Sequence, residues 1–332
     1  MFQYLDSCCH LVAAYPVPSI LSFIVFLILL KKYINGGVCK YTQDLTGKII
    51  VITGASAGIG KYTTQELARM GGTVIMACRD IPKTEEAKAS ILKSAADPSK
   101  LKIDIIRLDL CDLSSIREFV KIFKEKYNRL DILINNAGVM AIPDRRLTKD
   151  GFEMQIGTNH FGHFLLTNLL LDVIKASKPS RIINLASMAH LFGYLNLDDI
   201  NSEKFYNNHL TYGGSKLANI LFTKELAKKL EGTGVKTVCL HPGAVRTELM
   251  RHVLDSLVMK IIIIIMFPFY WYFFKSTQQG AQTTLHCALI SHEKLENGKY
   301  YSDCKTKWTR SAAEDSVKMK KLWEISEKMV NL

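Results

Sequence analysis

The stretch that decides the fold runs from Lys48 to Met70, KIIVITGASAGIGKYTTQELARM. Ile49 to Thr53 carries no charge and is aliphatic apart from its final Thr, which reads as a strand buried on both faces, as in a parallel sheet. Gly54, Gly58 and Gly60 follow within seven positions, and Ile59, Tyr62, Thr63, Leu67 and Met70 then recur at helical spacing. A buried strand, a glycine turn and an amphipathic helix together make a phosphate site. The first N–H groups of a helix have no internal partner, and its dipole favours an anion there. Glycines let the backbone turn sharply and approach a pyrophosphate closely. The spacing here is G-x-x-x-G-x-G, not the G-x-G-x-x-G of the common dinucleotide turn, so the rest of the chain must decide between a ligand and a plain structural turn.

Working outward, strands and helices alternate. Further buried strands are read at Thr73–Ala77, Lys102–Leu108, Asp131–Ile134, Arg181–Ala186 and Val235–Leu240. Helices are read at Pro82–Ser94, Ser114–Tyr127, Gly151–Ser177 and Leu210–Glu231. This alternation predicts an α/β fold, an open, doubly wound parallel sheet of Rossmann type. Ligands of such sheets bind beyond the carboxyl ends of the strands, where Gly54, Arg79, Asp109, Asn136, Ser187 and Pro242 fall. Arg79 ends the second strand, where an NAD site would place an acid on the ribose. An arginine there suits a 2′-phosphate and points to NADP(H) over NAD(H), with the neighbouring Asp80 as the counter-argument.

The 332 residues include 43 basic and 31 acidic side chains, a net charge of +12. No nucleic-acid motif or arginine-rich stripe accompanies the charge, so a membrane surface or a phosphorylated cofactor explains it more simply than nucleic acid. The eight cysteines are scattered, none in a C-x-x-C pair, which indicates a reducing compartment; no metal site is expected. Leu11 to Leu30 is twenty uncharged residues, long enough as a helix for a bilayer core of about 30 Å. Pro16 and Pro18 weaken its first third. A cleaved signal peptide fits poorly, because Asp6 and no Lys or Arg precede the run. Lys31 and Lys32 follow it, so the expected arrangement is an N-terminal membrane anchor (1–34) with the bulk of the chain in the cytoplasm. A second greasy run, Ile261 to Phe274, is interrupted by Pro268. A buried helix, a membrane-dipping lid and a second span compete for it, and Tyr270, Trp271 and Tyr272 favour the lid.

Tyr212 and Lys216, four apart on a predicted helix, share one face, and an ammonium beside a phenol favours its ionised form. Alone, Tyr-x-x-x-Lys is a frequent accident, a lone Ser187 reads as a helix cap, and Asn159 reads as a local backbone partner. Taken together, the motifs resemble the short-chain dehydrogenase/reductase family across roughly Thr46 to Ala312. They are Thr-Gly-x-x-x-Gly-Ile-Gly at 53–60, Asp109-Leu110, Asn-Asn-Ala-Gly at 135–138, Asn159, Ser187, Tyr212/Lys216 and Pro242-Gly243. The resemblance implies that Tyr212 is the general acid/base and that Lys216 lowers its pKa and binds the nicotinamide ribose. It also implies that Ser187 orients the substrate carbonyl and Asn159 holds a relay water. Gly54, Ser56, Gly58, Ile59 and Gly60 would cradle the pyrophosphate. Asp109 and Leu110 would flank the adenine, Asn136, Ala137 and Gly138 would line the adenosine side, and Pro242, Gly243 and Thr247 would meet the nicotinamide.

The sequence is closer still to the membrane-anchored retinol dehydrogenase (retinal reductase) branch. The stretches that carry this are ACRD at 77–80, DGFEMQIGTNHFGHFLLTNLLL at 150–171, EKFYNNHLTYGGSKLANILFTKEL at 203–226 and QQGAQTTLHCAL at 278–289. The resemblance implies an NADP-dependent enzyme of retinol/retinal or lipid aldehydes on an internal membrane such as the endoplasmic reticulum. It also implies a substrate lid near 250–276, a C-terminal helix at 313–332, and pairing into a homodimer through the two long helices. A steroid or long-chain ketone reductase on the same fold, and a non-catalytic cofactor-binding membrane scaffold, are the alternatives.

Overall fold

The computed structural model describes residues 16–247 and 271–332, with side chains from residue 21 onward. Helix α1 is Pro16–Asn35. Then follow β1 (Ile49–Thr53), α2 (Gly58–Arg69), β2 (Thr73–Cys78), α3 (Ile81–Lys93), β3 (Lys102–Arg107), α4 (Leu113–Lys126) and β4 (Ile132–Asn135). The second half holds α5 (Gly162–Ala176), β5 (Ser180–Leu185), α6 (Asn208–Lys229), β6 (Val235–His241), α7 (Thr277–Leu289), β7 (Tyr300–Ser302), β8 (Lys305–Thr306) and α8 (Ser316–Met329).

The sheet order is β3-β2-β1-β4-β5-β6-β7-β8, parallel throughout except for the last pair. The chain crosses from one half of the sheet to the other between β1 and β4, the switch point where ligands bind in such sheets. Alternate residues of β1 feed two cores. Val51 joins Ile75, Leu133 and Ile182 beneath α4, α5, α6 and α8. Ile50 and Ile52 join Val74, Met76 and Leu240 beneath α2, α3 and α7. This two-sided burial is why these strands read as unbroken apolar runs.

Three features differ from the expectation. The long helix read within 151–177 is not continuous: it starts at Met154 and contains a π turn, Gly157–Phe161, before α5. The buried Glu153 sets that start, its carboxylate accepting the N–H groups of Gln155 and Ile156 at 3.0 and 2.9 Å. Asp131 is not the first strand residue but a buried acceptor at the foot of β4. It binds Arg129 through two nitrogens (2.9 and 2.6 Å), Lys48 (3.0 Å) and Ile49 N–H (2.9 Å). Strands β7 and β8 carry too few residues to leave an alternation in the sequence.

The link from α1 to β1 lies along α7. Cys39 N–H donates to Gln282 Oε1 (3.0 Å), Gln43 Nε2 donates to Leu289 O (2.6 Å), and the Tyr41 and His286 rings sit 5.3 Å apart. A Cβ on Gly37 would lie 2.1 Å from Asp303 O, so only glycine lets the chain pass there. Helix α8 covers α5 and α6, its Trp323 ring 4.9 Å from Phe164 and 5.8 Å from Phe222. Among the described residues no helix is long and apolar enough to cross a membrane. The first part of the expected span, most of the greasy run 261–274 and most of the expected lid fall outside the described residues.

Candidate active site

The glycine turn leaves β1 at Thr53. Gly54 has φ +64°, and a Cβ there would lie 2.9 Å from Ala137 Cα. A Cβ on Gly60 would lie 2.5 Å from Gly54 O and 2.7 Å from Asn136 Nδ2. The glycine spacing is therefore set by the close approach of this turn to the end of β4. The N-cap of α2 is Ala57, which supplies no side-chain acceptor, whereas Asp80, Asp112, Asn207, Ser276 and Asp315 cap α3, α4, α6, α7 and α8. The first N–H groups of α2 are thus left to a ligand, and a dinucleotide pyrophosphate fits that cradle.

The two halves of the sheet are tied together here by Thr53, which is fully buried. Its Oγ1 accepts the N–H groups of Asn136 and Ala137, both at 2.9 Å, and meets His163 Nε2 at 2.9 Å. Asn136 Nδ2 donates to Thr53 O (2.8 Å) and Gly54 O (3.2 Å). Asn136 therefore holds the glycine turn in shape. His163 Nδ1 faces Asn159 O at 3.1 Å, so Nδ1 carries the proton and Nε2 accepts from Thr53. Burial lowers the His163 pKa to about 4, which keeps this neutral arrangement.

Tyr212, Lys216 and Ser187 converge across β5 and α6. Ser187 caps the short turn Met188–Leu191, accepting Ala189 N–H at 3.1 Å, and also hydrogen-bonds the Tyr212 side chain. Ser187 is thus a cap that also lies beside Tyr212. Burial pushes the Tyr212 phenol up to about 12, with the Ser187 contact pulling the other way. Burial also brings Lys216 down to about 8. The Lys216 ammonium stands 5.7 Å from the Tyr212 ring centroid and donates to Leu185 O at 3.2 Å. The protein alone thus keeps the Tyr212 phenol neutral, and the lowering expected from Lys216 does not overcome desolvation.

Asn159 sits in the π turn, fully buried. Its Oδ1 accepts Val139 N–H (2.8 Å), and its Nδ2 donates to Val139 O (3.0 Å) and Ser215 Oγ (2.9 Å). Its side chain is fully engaged in holding the segment after β4, so a relay water would have to meet its backbone carbonyl beside His163.

A cavity of about 600 Å³ joins these groups. Gly54, Ser56, Gly58, Ile59, Asn136, Ala137 and Gly138 line it together with Ser187, Tyr212, Lys216, Pro242, Gly243 and Thr247. Val139, Met140, Met188, Phe192 and Phe274 add apolar wall to the same cavity. Arg79, Asp109 and Leu110 lie outside this lining, at the ends of β2 and β3. Asp109 Oδ1 accepts Cys111 N–H (3.0 Å) and Leu110 is buried.

The short chain dehydrogenase profile matches residues 48–257, which contain the turn, Asn159, Ser187, Tyr212 and Lys216 in one sequence. The chain belongs to the short-chain dehydrogenase family. It falls in the retinol dehydrogenase branch. It is 45% identical to mouse retinol dehydrogenase 12 over 303 residues, 91% of this chain and 92% of the relative. It is 44% identical to human retinol dehydrogenase 11 over 320 residues, 95% and 97% of the two chains. Among solved structures, an uncharacterised protein of Mycobacterium paratuberculosis superposes with a TM-score of 0.70 at 34% identity, covering 89% of this chain and 98% of that one.

As a short-chain dehydrogenase the chain is an oxidoreductase acting on CH–OH groups, and its fold implies a nicotinamide dinucleotide. Within the family's motifs the sequence reading did not single out His163 or Ser215. His163 sits four residues after Asn159, one helical turn on, and Ser215 directly precedes Lys216. Those spacings are the only local signal of their roles, because Thr53, the partner of His163, is 110 residues away.

Proposed function

We propose that this chain is an NADP(H)-dependent oxidoreductase that interconverts a hydrophobic alcohol and its aldehyde, of the retinol/retinal or lipid-aldehyde class. The observation that carries the reading is the convergence of Tyr212, Ser187 and Lys216 in a cavity that Val139, Met140, Met188, Phe192 and Phe274 also line. The relatives named for retinol support that substrate class.

The bound nicotinamide supplies or takes the hydride. The chain's own residues do the rest. Ser187 hydrogen-bonds the substrate oxygen and sets it against Tyr212. In reduction the neutral Tyr212 hydroxyl gives its proton to that oxygen, and in oxidation it takes the proton back. Lys216 holds the ribose and stabilises the phenolate left behind. Met188, Phe192 and Phe274 exclude water and bind the apolar tail. Asn159 and His163 keep the segment after β4 in place beneath the cofactor.

The cofactor preference rests on Arg79 and Asp80. The Asp80 carboxylate accepts Lys83 N–H at 3.0 Å as the cap of α3, so one of its oxygens is already engaged. Arg79 is the exposed cation at the end of β2, suited to a 2′-phosphate. Residues 1–34 are read as the membrane anchor, supported by the apolar run before Lys31 and by the exposed Phe23, Phe26 and Leu29 of α1. The catalytic domain then spans 46–312, with a lid near 250–276 and α8 beyond, facing the cytoplasm from the endoplasmic reticulum. A homodimer through α5 and α6 would form beside α8, which already covers part of both helices.

Purified protein with NADPH, assayed against retinal, medium-chain aldehydes and a ketosteroid, tests the reading. Retinal or an aldehyde should turn over fastest, and Tyr212→Phe should bind NADPH but lose turnover. Near-normal rates in that variant would overturn the catalytic assignment. Arg79→Ala should weaken NADPH about tenfold or more while leaving NADH little changed. Equal loss for both cofactors would remove Arg79 from the choice.

A further inference from the structure

A second cavity, about 510 Å³, lies between α1 and Trp271-Tyr272, apart from the catalytic pocket. Ile24, Leu27, Ile28, Lys31, Lys32 and Asn35 form one wall, a single stripe of α1 at i, i+3/i+4 and i+7/i+8 spacing. Over those eleven steps, about 16 Å of helix, the wall changes from aliphatic to cationic to amide. The opposite wall is an indole and a phenol. Such a gradient suits an amphiphile lying along the helix.

The cationic end is unusual in its partners. Lys31 Nζ stands 5.8 Å from the Trp271 ring centroid and the Arg246 guanidinium 5.3 Å from the same centroid, so two cations share one indole. Lys31 also donates to the carbonyls of Trp271 and Tyr272, and the Tyr272 hydroxyl donates to Leu27 O. Among the described residues no carboxylate pairs with Lys31, Lys32 or Arg246. Asn35 Oδ1, in the same lining, is buried without a hydrogen-bond partner. Two cations and an orphaned acceptor therefore line one part of an apolar slot, with Arg246 against the indole that forms its other wall, and the outer face of α1 exposes Phe23, Phe26 and Leu29.

We infer that this cavity binds one anionic phospholipid whose headgroup also carries a hydrogen-bond donor. The phosphate lies against Lys31, Lys32 and Arg246. A headgroup ammonium or hydroxyl donates to Asn35 Oδ1, and an acyl chain runs along Ile24, Leu27 and Ile28. The inference rests on the membrane placement of α1 proposed above and is independent of the substrate. Its consequence is local to the pocket mouth. Arg246 N–H donates to Lys275 O (3.1 Å) and Lys275 N–H to Ala244 O (2.8 Å), and the neighbours of Arg246, Val245 and Thr247, line the catalytic cavity. A bound headgroup joins that loop to α1.

The full-length protein, saturated with NADPH in nanodiscs, tests this through tryptophan quenching by spin-labelled phosphatidylserine against spin-labelled phosphatidylcholine at equal mole fraction. Trp271→Phe supplies the background from Trp308 and Trp323. Phosphatidylserine should quench Trp271 several-fold more strongly. Lys31→Gln and Arg246→Gln should each reduce that preference about fivefold or to nothing, in variants whose thermal unfolding stays near that of the parent. Equal quenching by the two lipids in the parent protein overturns the inference, as does a preference that survives both substitutions. Loss of the preference on adding millimolar inorganic phosphate would show a small-anion site in place of a lipid site. Retinal turnover in the same discs reads the catalytic proposal separately, since an inactive protein with an intact lipid preference would sink only the substrate reading.

Discussion

Replacing Thr53 by valine keeps the side chain's shape and removes one hydroxyl. That hydroxyl accepts two backbone N–H groups and donates to His163 Nε2, all at 2.9 Å. Valine leaves the ring nitrogen of His163 without a donor in a site that is 2% exposed, and leaves the N–H groups of Asn136 and Ala137 without an acceptor. An unsatisfied buried polar group costs about 1–3 kcal/mol. His163 counts in full, whereas Asn136 and Ala137 are half-buried and water relieves part of their cost. The sum is about 3 kcal/mol, which for a domain of this size lowers Tm by about 6 °C. Thr53→Ser keeps the hydroxyl and loses one methyl, a cost of about 1 kcal/mol. Calorimetry of the three proteins in detergent separates the two effects, and NADPH titration should show weaker binding in the valine variant alone, because the turn at 135–138 loosens. A valine variant that melts with or above the serine variant would refute the assignment of Thr53 as the tie between the halves of the sheet.

Burial lowers the pKa of His160 to about 3, and of His163 and His241 to about 4. Each is neutral when folded, so below the unfolded value of 6.5 only the unfolded chain gains protons. Stability should fall by about 2 kcal/mol per histidine from pH 6.5 to 5, and a denaturation midpoint that stays flat over that range would contradict it. Asp131→Asn removes the charge that Arg129 and Lys48 share. Because both cations are more than a third exposed, the loss should be about 2 kcal/mol, less than for a fully buried pair. Chemical denaturation measures it, and a variant as stable as the parent would mean the pairing contributes nothing. Tyr212→Phe removes the buried hydroxyl whose pKa burial raises to about 12, so turnover should collapse at every pH between 6 and 9 with no shift of cofactor affinity.

The parts of the site that were legible in the sequence act through the backbone or through one helical turn. The glycine turn could be read because strand, turn and helix are contiguous, and Tyr212 and Lys216 because they are four apart on α6. The two cores were readable in outline, since strands buried on both faces carry no polar interruption. What could not be read depends on contacts between distant segments. Thr53 and His163 meet across 110 residues, and each alone is an unremarked polar residue on a strand or a helix. The π turn at 157–161 is not encoded in helical periodicity, which it interrupts by a single residue. That the Asp80 carboxylate caps α3 could not be told from its place beside Arg79. The pairing of α1 with Trp271-Tyr272 joins segments 240 residues apart, and no local pattern announces it.

The link between α1 and β1 is also informative. A flexible tether would let a catalytic domain search a hemisphere above its attachment point, with an effective concentration set by tether length. Residues 36–45 do not behave as a leash, because Gly37 passes against Asp303 and the Cys39 and Gln43 contacts fasten the segment to α7. The link is a bracket, and it fixes the height and tilt of the pocket mouth relative to α1. Lengthening a leash dilutes a reaction gradually. Inserting residues into a bracket turns the catalytic cavity relative to α1, so under the membrane placement proposed for α1 delivery of a water-insoluble substrate should fail abruptly while NADPH binding is untouched.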